Sequence, residues 1–292
     1  MESCPVLAVD LGGTKILAAL VSGARILERR ETATDRDGGP SVWLDQIADL
    51  VRDWTGEWGA AGITVTGLVH GGEWFGLNPG TLNLPGRFPL AERARALLGA
   101  PVALANDAQA AAWGEFRHGA GAGTRDMVFL TVSTGIGGGI VAGGRLLSGR
   151  SGMAGHVGLL HPLPDGGEAL FEDHASGRWI ARAAGQPDAR AAFAALPDPV
   201  AEEMVMISAR RVAALCRNLQ LLVDPEVIVI GGGVGLAPGY LSRVEAALAP
   251  LAPLYRPVLA PAALGTGAGV IGIADLAGAP AQGHVHEEET ER

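Results

Sequence analysis

The chain has 292 residues, enough for two modest domains, and is 48% hydrophobic with a net charge of −9. The acidic balance argues against a general nucleic-acid surface, and there is no apolar run of about 18 residues to cross a membrane. The two cysteines, Cys4 and Cys216, form no C-x-x-C pattern, and Met1–Pro5 is too short for a signal peptide, so a reducing cytoplasm without disulfides is expected.

Strands are expected at Val6–Asp10, Ile16–Val21 and Arg25–Thr32, with a polar glycine turn of Gly12, Gly13, Thr14 and Lys15 after the first. The spacing of Val42, Leu44, Ile47, Leu50, Val51 and Trp54 predicts a helix over Ser41–Trp58, capped by Ser41. A strand over Ile63–Val69 leads into irregular chain from Trp74 to Phe88, with a turn at Asn78-Pro79-Gly80. A helix over Pro89–Leu98 precedes a short buried strand, Val102–Ala105, and then Asn106, Asp107 and a helix over Ala108–Phe116. A strand over Asp126–Val132 breaks at Ser133, Thr134 and Gly135 and resumes through Gly137, Gly138 and Gly139. Ser151–Ala175 reads as loop, followed by short helices over Ser176–Ala184 and Asp188–Leu196 and a long helix over Pro199–Val223 that buries Cys216. A strand over Glu226–Ile230 ends in Gly231, Gly232 and Gly233; then come a helix over Tyr240–Leu251, a strand over Pro257–Ala260 and a helix over Gly267–Leu276. The polar, acidic stretch 281–292 reads as a disordered tail.

Strand, glycine turn, strand and a third short strand occur twice, at Val6–Leu27 and at Phe129–Ser148. This pattern reads as a diverged duplication and predicts an α/β protein of two related lobes, residues 1–105 and residues 106–264. Glycine turns bring backbone N–H groups close to an anion, so two facing turns suit a polyphosphate held between lobes, although hairpins that merely need positive φ would look the same.

Asp107 follows a strand and opens a helix. There it can accept a substrate proton or simply cap the helix. Asp10 can orient water around Mg²⁺ or close an Asx turn. Lys15 can meet a phosphate or be solvated, and Gly231–Gly233 can accommodate a nucleoside or be only a strand-to-helix turn. No Walker sequence occurs, and strands rather than helices follow the early glycines, which disfavours P-loop and dinucleotide folds. His156, His161 and His174 with Asp165, Glu172 and Asp173 match no zinc spacing, and a polar substrate loop fits them better.

Taken together, Asp10-Leu-Gly-Gly-Thr-Lys15, Asn106-Asp107, Thr134-Gly-Ile-Gly-Gly-Gly139, Gly155-His156, Ala175-Ser-Gly177 and Val229-Ile-Gly-Gly-Gly233 resemble the ROK family of sugar kinases. A narrower resemblance, to bacterial N-acetylmannosamine kinases, rests on Asn106–Trp113, Asp126–Ser133, Gly152–Gly158 and Leu77-Asn78-Pro79. The resemblance implies a two-lobed actin-like, hexokinase-like ATPase fold of duplicated ribonuclease H-like domains, with the active site in the cleft and residues 265–280 returning to the first lobe, 1–105. It implies Mg²⁺-ATP on Asp10, Gly12–Lys15, Ser133–Gly135, Gly137–Gly139 and Gly231–Gly233. The sugar falls to Asn106, His156 and Glu172, with Asn78, Thr81 and Asn83 weaker, and Asp107 becomes the base. It also implies a homodimer, with neither nucleic acid nor membrane as partner. Two departures stand out. Most of the family has a Glu where this chain has Met153; the N-acetylmannosamine kinases tend to be apolar there. The family's zinc-binding C-x-C-x₄-C is missing, since Val157–Ala175 holds no cysteine, so no structural zinc is expected. Rival readings are a kinase for glucose, fructose or N-acetylglucosamine and a non-catalytic sugar sensor. A ROK repressor would need a helix-turn-helix ahead of the first strand, and that strand begins at Val6.

Overall fold

A computed structural model describes residues 4–77, 81–82, 84, 86–161 and 169–279. Asn78, Asn83 and the stretch 281–292 lie outside the described residues.

The first half is a meander of β1 (Val6–Leu11), β2 (Lys15–Ser22) and β3 (Arg25–Ala33), paired antiparallel. Helix α1 (Gly39–Val51) then returns the chain to β4 (Ala60–Val65), which pairs parallel with β1. α1 starts two residues before the expected Ser41, because Pro40 supplies a pre-set first turn. The strand expected over Ile63–Val69 divides at Gly67, whose φ of +96° breaks the run. The residues beyond Gly67 enter a small antiparallel sheet of β5 (Leu68–His70), β6 (Glu73–Phe75) and β7 (Arg87–Phe88), where irregular chain was expected. Helix α2 (Leu90–Leu98), ended by Gly99, leads to β8 (Val102–Asn106), parallel to β4. The main sheet has the order β3-β2-β1-β4-β8. The interior of β1 and nearly all of β4 are buried, which is why both read as continuous apolar runs rather than alternating ones.

Helix α3 (Asp107–His118) joins the halves. The second half repeats the meander with β9 (Met127–Val132), β10 (Ile136–Ala142) and the short β11 (Arg145–Leu146). Within the stretch expected as loop, α4 (Glu172–Ala175) forms; α5 (Gly177–Ala183), α6 (Ala189–Ala194) and the long α7 (Pro199–Val223) follow, α7 with the expected bounds. Strand β12 (Val227–Gly231), α8 (Gly232–Gly235), α9 (Tyr240–Leu248), β13 (Leu259–Pro261) and α10 (Ala268–Gly278) complete the chain. The second sheet has the order β11-β10-β9-β12-β13, the same antiparallel-then-parallel arrangement as the first.

Each sheet is covered on both faces. α1, α2 and the small sheet bury Trp43, Trp54 and Trp74 against one face of the first sheet. On its other face Val270, Ile273 and Ala274 of α10 pack over Ala8, Leu17, Ala19 and Val21. In the second half α7 and α9 cover one face, and Ala112 of α3 packs with Phe129, Val141 and Val229 on the other. α3 and α10 meet backbone to backbone: a Cβ on Gly114 would strike the Ala268 carbonyl, and one on Gly272 the Ala110 carbonyl. Two carboxylates fasten this crossing. Glu115, fully buried, accepts N–H bonds from Ala120, Ala263 and Leu264 at 2.8–3.0 Å. Asp275 accepts from Trp113 Nε1 at 2.8 Å and Arg117 Nε at 3.2 Å, and contacts His118 Nε2 at 2.9 Å.

Candidate active site

The parallel strands of the first sheet end side by side, and the polar groups gather at those ends. Asp10 lies opposite Thr64 in the β1–β4 register, and Val65 lies opposite Asn106 in β4–β8. Thr64, fully buried, donates its hydroxyl to Asp10 Oδ1 at 2.9 Å. Asn106 caps α3: its Oδ1 accepts from the N–H of Ala108 at 3.0 Å and of Gln109 at 3.2 Å, while its Nδ2 donates to the Gly67 carbonyl at 3.0 Å. Because Asn106 takes the capping role, Asp107 is released from it and occupies the first helical turn, its Oδ1 accepting the Ala108 N–H at 2.8 Å. Burial, and then the neighbouring charge of Asp10, push the Asp107 carboxyl up to about 6. Burial also raises Asp10, with the Thr64 hydroxyl and the Lys15 charge working against it. Asp107 is thus a carboxylate whose affinity for a proton suits a base near neutral pH.

The second sheet offers backbone in the corresponding place. Ser133, Thr134 and Gly135 form the turn, whose carbonyls at Ser133 and Thr134 accept from the N–H groups of Gly177 at 2.7 Å and Arg178 at 3.2 Å. Glu172 Oε2 accepts from Ile136 N–H at 3.2 Å, and its Oε1 lies 3.5 Å from Arg178 Nη2. Gly137, Gly138 and Gly139 lie within β10, and packing accounts for all three. A Cβ on Gly137 would come 3.0 Å from Ala108 Cβ, one on Gly138 2.8 Å from the Phe129 carbonyl, and one on Gly139 2.5 Å from Ala112 Cβ. β10 therefore runs directly against the helix that carries Asp107. Gly231 packs on the Phe129 ring, and Gly232, at φ +85°, turns the chain against the Val132 carbonyl; the Cβ side of Gly233 is open, which leaves room for a flat ligand.

The remaining candidates divide. Gly12 closes the first turn through its N–H to the Lys15 carbonyl at 3.1 Å, and Thr81 lies directly over Gly13. Thr14 accepts at its carbonyl from the Thr34 N–H at 3.1 Å. The Lys15 ammonium pairs with Glu31 at 3.0 Å, and both are half exposed on the edge of the sheet. His156 places Nδ1 3.2 Å from the Met153 carbonyl and Nε2 3.4 Å from the Gly67 carbonyl, the same oxygen that Asn106 contacts. His156 is thereby joined to Asn106, the cap of the helix that carries Asp107. Glu172 is occupied by the turn and Arg178, and the His174 carbonyl by Arg211. Among the described residues no three His, Cys, Asp or Glu side chains converge on a metal position. The half-buried Asp10 beside Asp107 instead suits Mg²⁺ that arrives with phosphates and needs one or two carboxylates.

Sequence reasoning missed three participants. Gln109, 4% exposed, donates through Nε2 to the carbonyls of Gly152 at 3.2 Å and Ala154 at 2.9 Å, so α3 holds the Met153–His156 loop. A lone amide in an alanine-rich helix was its signal. Thr64 was hidden within an apolar strand, and Arg178 followed the quoted Ala175-Ser-Gly177 piece by one residue.

The sequence profile of the ROK family matches residues 6–279. A bifunctional enzyme NanE/NanK of Brucella melitensis is 50% identical over 281 residues, 94% of this chain and 54% of its own length, so the chain spans about half of that relative. An N-acetylmannosamine kinase of Citrobacter koseri is 41% identical over 93% of this chain and 98% of its own. Among solved structures, a ROK glucokinase from Streptomyces griseus in complex with glucose and AMPPNP superposes with a TM-score of 0.80 at 32% identity, covering 94% of this chain and 99% of that one. A ROK hexokinase from Thermus thermophilus gives 0.76 at 35%, covering 94% and 97%.

Proposed function

We propose that this chain, which belongs to the ROK family, transfers the γ-phosphoryl group of ATP to the 6-hydroxyl of N-acetylmannosamine. The observation that carries the proposal is Asp107: released from capping by Asn106, raised to about 6, and beside Asp10 at the ends of the parallel strands. The choice of sugar is supported by the Citrobacter koseri and Brucella melitensis relatives and by the exposed Met153 next to His156.

In the proposed reaction the sugar O6 attacks the γ-phosphorus as its proton passes to Asp107. An O6–P bond forms, the bond from phosphorus to the β,γ-bridging oxygen breaks, and ADP leaves with that electron pair. The turns Gly12–Thr14 and Ser133–Gly135 take the phosphates, and the open side of Gly233 takes the nucleoside. Mg²⁺, with Asp10 placed to hold its hydration, would neutralise charge on the phosphate oxygens. Asn106 and His156 line the sugar side through their shared contact with Gly67, and Glu172 borders it from the second turn. The lobe boundaries at 105/106 and 264/265 and a homodimeric state belong to the same proposal. The first boundary is supported by the start of α3 at Asp107, and the second by the packing of α10 on the first sheet.

The test is ADP release with Mg²⁺-ATP across N-acetylmannosamine, N-acetylglucosamine, glucose, mannose and fructose. A preference for N-acetylmannosamine by tenfold or more in kcat/KM is expected, about 1.4 kcal/mol in transition-state binding. Equal or better use of glucose would overturn the substrate while leaving the kinase.

A further inference from the structure

Phosphoryl transfer gathers negative charge where this protein already has two carboxylates, Asp10 and Asp107, within electrostatic reach of each other. A cation fixed beside the phosphates would offset it. At the first turn the sequence offers Lys15, but its ammonium is engaged by Glu31 on the sheet edge, and Arg29 Nη2 reaches the same oxygen at 3.1 Å. At the second turn stands a cation that no motif named. The Arg178 N–H is bonded to the Thr134 carbonyl, so the residue moves with the turn. Its guanidinium reaches back over Gly135: a Cβ built there would lie 3.9 Å from Arg178 Nη2 and 2.6 Å from Glu172 Oε2. Glu172 holds it on one side at 3.5 Å, while the side chain keeps 52% of its surface exposed. A guanidinium has five N–H donors in a planar fork that matches phosphate oxygens. One flank of this fork faces Glu172, and the open surface leaves donors for a ligand above the turn.

We propose that Arg178 is a catalytic residue of this kinase: it contacts the γ-phosphoryl oxygens of ATP above Gly135 and stabilises the charge they carry during transfer, with Glu172 as the residue that positions it. The assignment rests on the kinase reading and adds no bond to the reaction. Arg178 stays protonated throughout, and the proton of O6 still goes to Asp107.

The experiment pairs turnover with nucleotide discrimination. In Arg178→Ala, kcat falls about 10²-fold, the loss typical of removing one donor from a developing anion. The variant binds AMPPNP about tenfold more weakly, while ADP, which lacks the γ-group, binds within about twofold of wild type. Arg178→Lys restores part of both, because it returns the charge without the fork. An unchanged kcat overturns the assignment. So does an equal loss of AMPPNP and ADP affinity, which would mean that Arg178 only shapes the turn. The AMPPNP-to-ADP ratio is read by titration without sugar, so it judges Arg178 even if wild type phosphorylates none of the sugars, an outcome that would sink the kinase reading separately.

Discussion

The two sheets have the same strand order, and their central parallel pairs the same register, but they carry opposite equipment at the ends of their strands. In the first, Asp10 faces Thr64; at the matching place in the second, Thr131 faces Gly231. β8 ends in Asn106, with Asp107 next; beyond β13 come Ala262, Ala263 and Leu264, whose last two N–H groups are spent on Glu115. One copy thus concentrates charge and the other offers glycine backbone and close packing. A duplicated unit can divide the work of a phosphoryl-transfer site in this way, because proton transfer needs a tuned carboxyl whereas holding an anion needs only N–H groups and room.

The division is broken most severely from the charged side. Asp107→Asn is expected to lower kcat by about 10³-fold with the sugar KM little changed, measured by ADP release. The same variant sharpens the electrostatic argument. A carboxyl raised from 3.8 to about 6 by folding holds its proton more tightly folded than unfolded. Its contribution to stability is therefore full below pH 3.8, falls as pH rises through about 6, and is a penalty above that. Asp107→Asn should gain about 1–2 kcal/mol over wild type at pH 8 in urea unfolding, a figure discounted for the solvent-facing side of the group, and little at pH 4. On the backbone side, Gly139→Ala forces a methyl against Ala112. The overpacking should cost about 1–3 kcal/mol by the same unfolding measurement and lower kcat by displacing α3. Asp10→Asn removes the second cause of the Asp107 shift but not the first, burial. The acid limb of the kcat/KM profile, expected near pH 6 in wild type, should move to lower pH and stay above the ordinary carboxylate value. Smallest is Lys15→Ala: because the pair with Glu31 is exposed and screened, the urea midpoint should stay within error of wild type.

Most of the fold was legible because its signals are local. The twofold strand-turn-strand pattern, the apolar runs of β1, β4, β9 and β12 and the 25-residue periodicity of α7 each follow from short-range sequence. The positions of Asp10, Asn106 and Asp107 at strand ends were legible for the same reason. The division of roles between Asn106 and Asp107 was not, since either residue type can cap and only the bonds to Ala108 and Gln109 distinguish them. Gly137 and Gly139 gave the same spacing as an anion-binding loop, although long-range packing on α3 is what demands them. Likewise Lys15 read as free until β3 placed Glu31 beside it, and Thr64 could not be told from a core threonine without the register of β4 against β1.

The return of α10 to the first sheet has a consequence for the order of events during synthesis. Ala8, Leu17, Ala19 and Val21 are made early, yet the residues that cover them, Val270, Ile273 and Ala274, emerge after both sheets have been translated. The strands of the first half must wait with one apolar face bare through the translation of some 250 residues, and α10 closes that face only where Gly114 and Gly272 let it slide past α3. A nascent chain halted before Ala268 still needs that face shielded by a chaperone, and a substitution at Gly272, against the Ala110 carbonyl of α3, would prolong that state.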